Sequence, residues 1–172
     1  MDAVSPLKDE IQQRRPFRSR GQEGLLSLLR TADLLKREIA SVVEPHGLTL
    51  QQFNVLRILR GAGALGLPTL DIAERMVEQA PGITRLLDRL EKKVLVRRER
   101  CPQDRRQVLV AITPGGLRLL ARLDRPVAEA DDTLLARLGL RRTITLIRLL
   151  DAVRNEPARR PGSLCSSKEK KA

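Results

Sequence analysis

Residues 70–113 read LDIAERMVEQAPGITRLLDRLEKKVLVRRERCPQDRRQVLVAIT, from Leu70 to Thr113, and the fold turns on this stretch. Its middle, PGITRLLDRLEKK from Pro81, places Ile83, Leu86, Leu87 and Leu90 at i, i+3, i+4 and i+7. That spacing makes one apolar stripe on an α-helix. The opposite side of the wheel carries Pro81, Thr84, Arg85, Asp88, Arg89 and Lys92. Upstream, LDIAERM predicts a shorter helix, with Thr69 as its cap and Asp71 in its first turn against the positive helix end. The link Val77–Ala80 is short enough to join the two helices by a tight turn.

Downstream, VLVRRERCPQDRRQVLVAI predicts two strands around a polar turn at Pro102–Arg105. Val108, Val110 and Ile112 alternate at period two. Arg97, Arg98, Arg100, Arg105 and Arg106 crowd this hairpin. A short helix, a turn, an amphipathic helix and a basic hairpin make a winged helix-turn-helix. The expected fold is therefore mainly α with a small β-hairpin wing. In that arrangement the second helix enters the DNA major groove, and its N-terminal residues meet base edges.

Composition agrees. The 172 residues suffice for one domain with a modest core. Aromatic residues are 1%, namely Phe17 and Phe53, so the core must be Leu, Ile, Val and Ala. That suits helix-on-helix packing and argues against a protein that stacks single-stranded bases on aromatic platforms. The net charge of +12 favours a polyanionic partner, nucleic acid before anionic membrane. Between Pro81 and Ile112 nine cations face four acids, and much of the remaining charge lies in the tails. Cys101 and Cys165 show neither metal spacing nor a disulfide framework, which fits a reducing cytoplasm. No segment approaches the roughly 20 apolar residues of a membrane span. With one histidine, no glycine-rich phosphate loop and no His/Cys/Asp cluster, the chain offers no catalytic residues, metal site or cofactor site.

Taken in order, residues 1–20 read as a flexible arm. A long helix is predicted over Gly21–Glu44, where Leu25, Leu28, Leu29, Ala32, Leu35, Ile39 and Val42 keep helical spacing, and Pro45 ends it. Its apolar surface exceeds what one small domain covers, so a partner helix is implied. His46 and Gly47 form a turn. Thr49 and Gln52 make a capping box, with Leu48 and Phe53 as the staple; Phe53, Leu56, Ile58 and Leu59 then face inward. After the loop GAGALG, Leu67-Pro68 predicts a short strand pairing with the hairpin. Thr113 caps the next helix with Pro114 at its first position. Pro126 should kink or break that helix, and Gly139 separates a last one. The expected domains are thus 48–114 for the winged helix-turn-helix, 21–47 with 115–155 for a helical dimerisation region, and 156–172 for a disordered basic tail.

The runs LPTLDIAERM, PGITRLLDRLEKK and LVRRERCPQDRRQVLVAITPGG resemble the multiple antibiotic resistance regulator (MarR) family. The hairpin pattern Asp104-x-Arg106, followed by Thr113 and Gly116, carries the resemblance most specifically, and a looser match runs over about residues 22–154. The resemblance implies a dimeric bacterial transcription regulator acting in the cytoplasm on nucleoid DNA. Most members are repressors, and many release DNA on binding a small-molecule effector or on oxidation. It also implies that Arg106 reaches the minor groove and that Asp104 orients it. Gln79, Pro81, Thr84, Arg85, Arg89, Lys92, Arg98 and Arg105 complete the expected DNA-contact set. Thr84 and Arg85 are placed at base edges or adjacent phosphates, Arg89 and Lys92 at phosphate. The alternative class is a winged-helix module that binds protein and does not read DNA. No ligand residues are assigned.

Two departures from the family pattern stand out. Val94 occupies the position just after the recognition helix where the family usually has glycine. Either the helix ends differently here or the wing enters at another angle. Gln79 and Ala80 are poor N-caps beside Ser or Thr. Cys101, at the wing tip, is not where oxidation-sensing members keep their reactive cysteine.

Overall fold

The computed structural model describes residues 6–79, 81–100 and 108–155. The chain forms two compact units, one up to Leu134 and one from Leu135.

The described residues of the first unit open with a short helix, α1 (Pro6–Glu10), within the arm expected from the sequence. Leu7 is buried, and Glu10 pairs with Arg30 at 3.8 Å. The long helix α2 (Arg20–Val43) starts at Ser19, whose hydroxyl accepts from the Gln22 N–H. It ends at a 3-10 turn, Glu44–His46, with Gly47 left-handed behind it. Next, α3 (Leu50–Ala62) opens on the expected capping box: Thr49 and Gln52 exchange side-chain-to-backbone bonds, each of 3.2 Å. Phe53, Leu56 and Leu59 are buried as expected, joined by Val55, while Ile58 is only half-buried.

Three strands make one antiparallel sheet in the order β1 (Leu67–Pro68), β3 (Val108–Ile112), β2 (Val96–Arg100). The expected short strand is therefore present, with Leu67 opposite Val110. Between β1 and β2 lie α4 (Thr69–Arg75) and α5 (Ile83–Lys92). Three expectations are corrected here. Thr69 does not cap α4, because β1 runs straight into the helix and Pro68 takes the N-cap position. The link between the helices spans residues 76–82 rather than Val77–Ala80, because Met76 turns extended as α4 ends. Pro81 lies in the turn before α5 and not on the helix.

A helix α6 (Pro114–Leu135) follows, continuous through Pro126. The Thr113 hydroxyl accepts from the Gly116 N–H at 3.1 Å, as an N-cap should. The same oxygen lies 2.8 Å from the Val94 carbonyl and 3.1 Å from the Leu95 carbonyl, its proton directed at this pair. One side chain thus ties the end of the wing to its beginning. The core of this unit gathers Leu56, Leu59, Ile72, Leu87, Leu90, Val110, Leu120 and Leu123, all fully buried. It is aliphatic apart from Phe53, as the composition requires. The second unit holds α7 (Gly139–Asn155), which has no buried residue.

The end of α5 settles the question raised by Val94. Val94 N–H bonds the Glu91 carbonyl at 2.8 Å and Leu95 N–H bonds the Leu90 carbonyl at 3.0 Å. That pair of bonds is a Schellman motif with Val94 at its left-handed position, φ +56°. The helix therefore ends as it would with glycine, and the valine carries the strain. A left-handed residue other than glycine costs about 1–2 kcal/mol, and glycine's extra freedom when unfolded offsets about half of that. Val94 is 71% exposed, so little burial is lost on removing its side chain. Val94→Gly is expected to stabilise the fold by about 0.5–1 kcal/mol, read as a higher urea midpoint at unchanged slope.

Candidate nucleic-acid interface

The apolar stripe of α5 turns inward as expected: Leu86, Leu87 and Leu90 are buried and Ile83 packs against the core. That fixes the opposite face outward. Thr84, Arg85, Arg89 and Lys92 are all exposed or half-exposed on it, and among the described residues none of the three cations has an acidic partner. The helix begins at Gly82, left-handed at φ +94°, with no side chain capping it. Its first N–H groups and positive dipole end therefore face outward beside Thr84 and Arg85, an arrangement suited to an anion. Gln79 and Pro81 stand in the turn just before it.

Arg98 behaves differently from its neighbours. Its Nη1 lies 2.6 Å from Asp88 Oδ1 and 2.9 Å from Glu91 Oε2, and Nη2 reaches the Thr84 carbonyl at 3.4 Å. The guanidinium straps β2 to α5 and offsets half the charge of the two acids on the flank of the cationic face. The sequence places Arg98 with the DNA contacts; in the structure its guanidinium also has these two acidic partners on α5. Arg97 is likewise paired, with Glu99. Near the other end of α5, the Lys93 ammonium donates to the Gly47 carbonyl, joining the end of α5 to the turn before α3. The wing-tip residues Asp104, Arg105, Arg106 and Cys101 lie outside the described residues, as does Cys165.

Beside α3 is a cavity of about 200 Å³. Ile39, Leu50, Phe53, Met76 and Val127 give it apolar walls, and Lys36, Arg57, Glu78 and Asp131 bring charge. Arg57 sits over the Phe53 ring, 5.7 Å from its centre. The sequence carries no signal for this cavity, since its walls come from four separate parts of the chain. His46, near this junction in sequence, is exposed and does not line it. Among the described residues no group of His, Cys, Asp or Glu could hold a metal ion, and no helix is long and apolar enough to cross a membrane.

Residues 48–108 match the model of the MarR family, a segment running from the start of α3 to the first residue of β3. A MarR transcription factor from Planctomyces limnophilus is 42% identical in its solved structure, with 80% of this chain and 99% of that one aligned at a TM-score of 0.61. The chain belongs to the MarR family. The exposed face of α5 falls entirely within the MarR segment. A variant of MarR from E. coli, solved in complex with operator DNA, is 25% identical over 87% of this chain and 99% of that one, with a TM-score of 0.69. Among curated proteins, a putative transcriptional regulatory protein for the hcr operon of Thauera aromatica is 28% identical, covering 72% of this chain and 74% of that protein. The MarR family is one of transcriptional regulators, and the three-stranded sheet with α4 and α5 is its winged helix-turn-helix.

Proposed function

We propose that this chain is a sequence-specific, double-stranded DNA-binding transcriptional repressor that works as a homodimer in the cytoplasm. The observation that carries the reading is the outward face of α5, where Thr84, Arg85, Arg89 and Lys92 stand and the cations have no acidic partner among the described residues. Arg85 stands in the first turn beside the uncapped helix start, and Arg89 and Lys92 extend the cationic face to the last turn. Thr84 and Arg85, in the first turn, are assigned to base edges, and Arg89 and Lys92 to phosphate. Gln79 and Pro81 flank the entry of the helix. Asp104, Arg105 and Arg106 keep the wing role that the family pattern implies.

Dimerisation has support of its own. Leu25 and Leu29 of α2 are 58% and 59% exposed, and Leu140 and Leu149 of α7 are 78% and 60% exposed. Apolar helix surface of this kind needs a cover. A second copy supplies it, and two reading heads then address half-sites about one DNA turn apart. The cavity beside α3 is assigned to a small-molecule effector, since its walls are apolar and its few charges can orient a guest.

The test selects bound duplexes from a random library, then measures fluorescence anisotropy on a selected and a scrambled duplex across a salt series. Tight binding to the selected duplex at two protomers per site, with a steep salt slope, is expected. No binding at low salt would overturn the DNA reading and bring forward the protein-interaction module. Arg98→Met supplies a second check. It frees Asp88 and Glu91 as bare acids beside the DNA face. Binding should weaken on both duplexes alike, and stability should fall by no more than about 1 kcal/mol. A loss confined to one base position would instead place the Arg98 guanidinium on a base.

A further inference from the structure

The link between α4 and α5, residues 76–82, is longer than the three or four residues that usually join the helices of this motif. A longer link leaves the second helix more freedom about the first. Apolar contact restrains its two ends, since Met76 and Ile83 pack against the core. Between them, among the described residues, two polar contacts from other helices hold the chain. Val77 N–H reaches the Asn54 side-chain oxygen of α3 at 3.4 Å, a long and weak bond. Glu78 reaches farther: its carboxylate lies 2.5 Å from the Lys36 ammonium of α2. This ion pair ties the long helix to the link, and both partners stand in the cavity wall.

We infer that Lys36 and Glu78 form a latch, a pair of positioning residues that sets the angle of α5 by tying its N-terminal link to α2. The inference rests on the DNA-binding reading above for its functional consequence, but not for its geometry. Neither side chain belongs to the DNA-contact set. Lys36 is 49% and Glu78 36% exposed, so removing one leaves the other's charge in contact with water. Because α2 carries part of the surface assigned to the partner copy, the latch ties the entry of α5 to the dimer frame, as the Lys93–Gly47 bond ties its far end. Whatever fills the cavity meets that contact directly.

The test compares wild type, K36M, E78Q and the charge-swapped K36E/E78K. Anisotropy gives the ratio of affinities for the selected and scrambled duplexes, and amide hydrogen exchange without DNA follows residues 77–83. Each single variant should lower the ratio about two- to fivefold, the range an exposed ion pair provides. The swap should restore it, and exchange in the link should quicken and slow in parallel. The ratio is the deciding quantity because charge alone acts on both duplexes. Removing the Glu78 carboxylate near a polyanion strengthens binding to any sequence and leaves the ratio where it was. A ratio unchanged in both single variants overturns the positioning role while the DNA reading stands. A wild type that takes no duplex overturns the DNA reading, and the exchange arm then decides the latch by itself.

Discussion

Arg85→Ala is expected to weaken binding to the preferred duplex by roughly 1–3 kcal/mol, about fivefold to 150-fold, and to relax the sequence preference at one base pair in each half-site. Arg85 is the third residue of α5, in its first turn, and its side chain is exposed with no acidic partner among the described residues. An unpaired guanidinium there has its fork of donors available for the two acceptors on guanine's major-groove edge. Folding should hardly change, because an exposed residue away from special backbone geometry rarely moves stability by more than about 0.5 kcal/mol. The measurement is anisotropy on the preferred duplex and on a set carrying single base-pair changes, repeated across salt. Lys92→Ala gives the contrast. Lys92 lies in the last turn of α5, and its loss should lower affinity for every sequence and reduce the salt slope by about one. If Arg85→Ala gave the Lys92 pattern instead, Arg85 would be a phosphate contact and base reading would have to come from Thr84 or the wing.

Much of this interface is legible in the sequence, and the reason is local periodicity. Ile83, Leu86, Leu87 and Leu90 define the inward stripe of α5 by spacing alone, so the outward residues follow from it. Thr49 and Gln52 are legible for a similar reason, since a capping box is complete within four residues. Thr69 misleads because its type suits an N-cap, while the strand before α4 leaves no place for one. The partners of Arg98 are not legible, for a different reason. Asp88 and Glu91 are on another element, and only the angle between β2 and α5 brings them together with it. The cavity and the Lys36–Glu78 pair are hidden on the same ground, because residues distant in sequence carry no shared period. Val94 lies between these cases. Its type against the family pattern exposes the conflict, but only the backbone shows that the helix keeps its ending and the residue takes the strain.

Gly116→Ala is expected to destabilise the fold by about 2 kcal/mol or more, even though alanine is the better helix former. Gly116 is buried in the first turn of α6, where the helix crosses the base of the wing. A Cβ on it would overlap the Leu95 carbonyl oxygen and lie 2.7 Å from Ile112 Cγ1. The isoleucine side chain has room to rotate, but the carbonyl does not. It accepts from the Thr113 N–H at 3.0 Å and lies 3.1 Å from the Thr113 hydroxyl, so moving it strains the cap of α6 as well as the edge of the sheet. The gain of about 1 kcal/mol in helix propensity is set against overpacking of rigid backbone, and the overpacking wins. Gly61→Ala is the control. Gly61 is also helical, in α3, and a Cβ there meets nothing within 4 Å, so the same change should stabilise by about 0.5–1 kcal/mol. Urea titrations of the two variants should therefore move in opposite directions from wild type at similar slopes. The consequence for DNA is specific to Gly116. Pushing α6 away from Leu95 and Ile112 shifts the base of both wing strands, so the wing loses its aim while α5, anchored by Leu86, Leu87 and Leu90, keeps its seat. At temperatures where the variant remains folded, binding should lose the wing's share of affinity and retain the base preference set by Arg85.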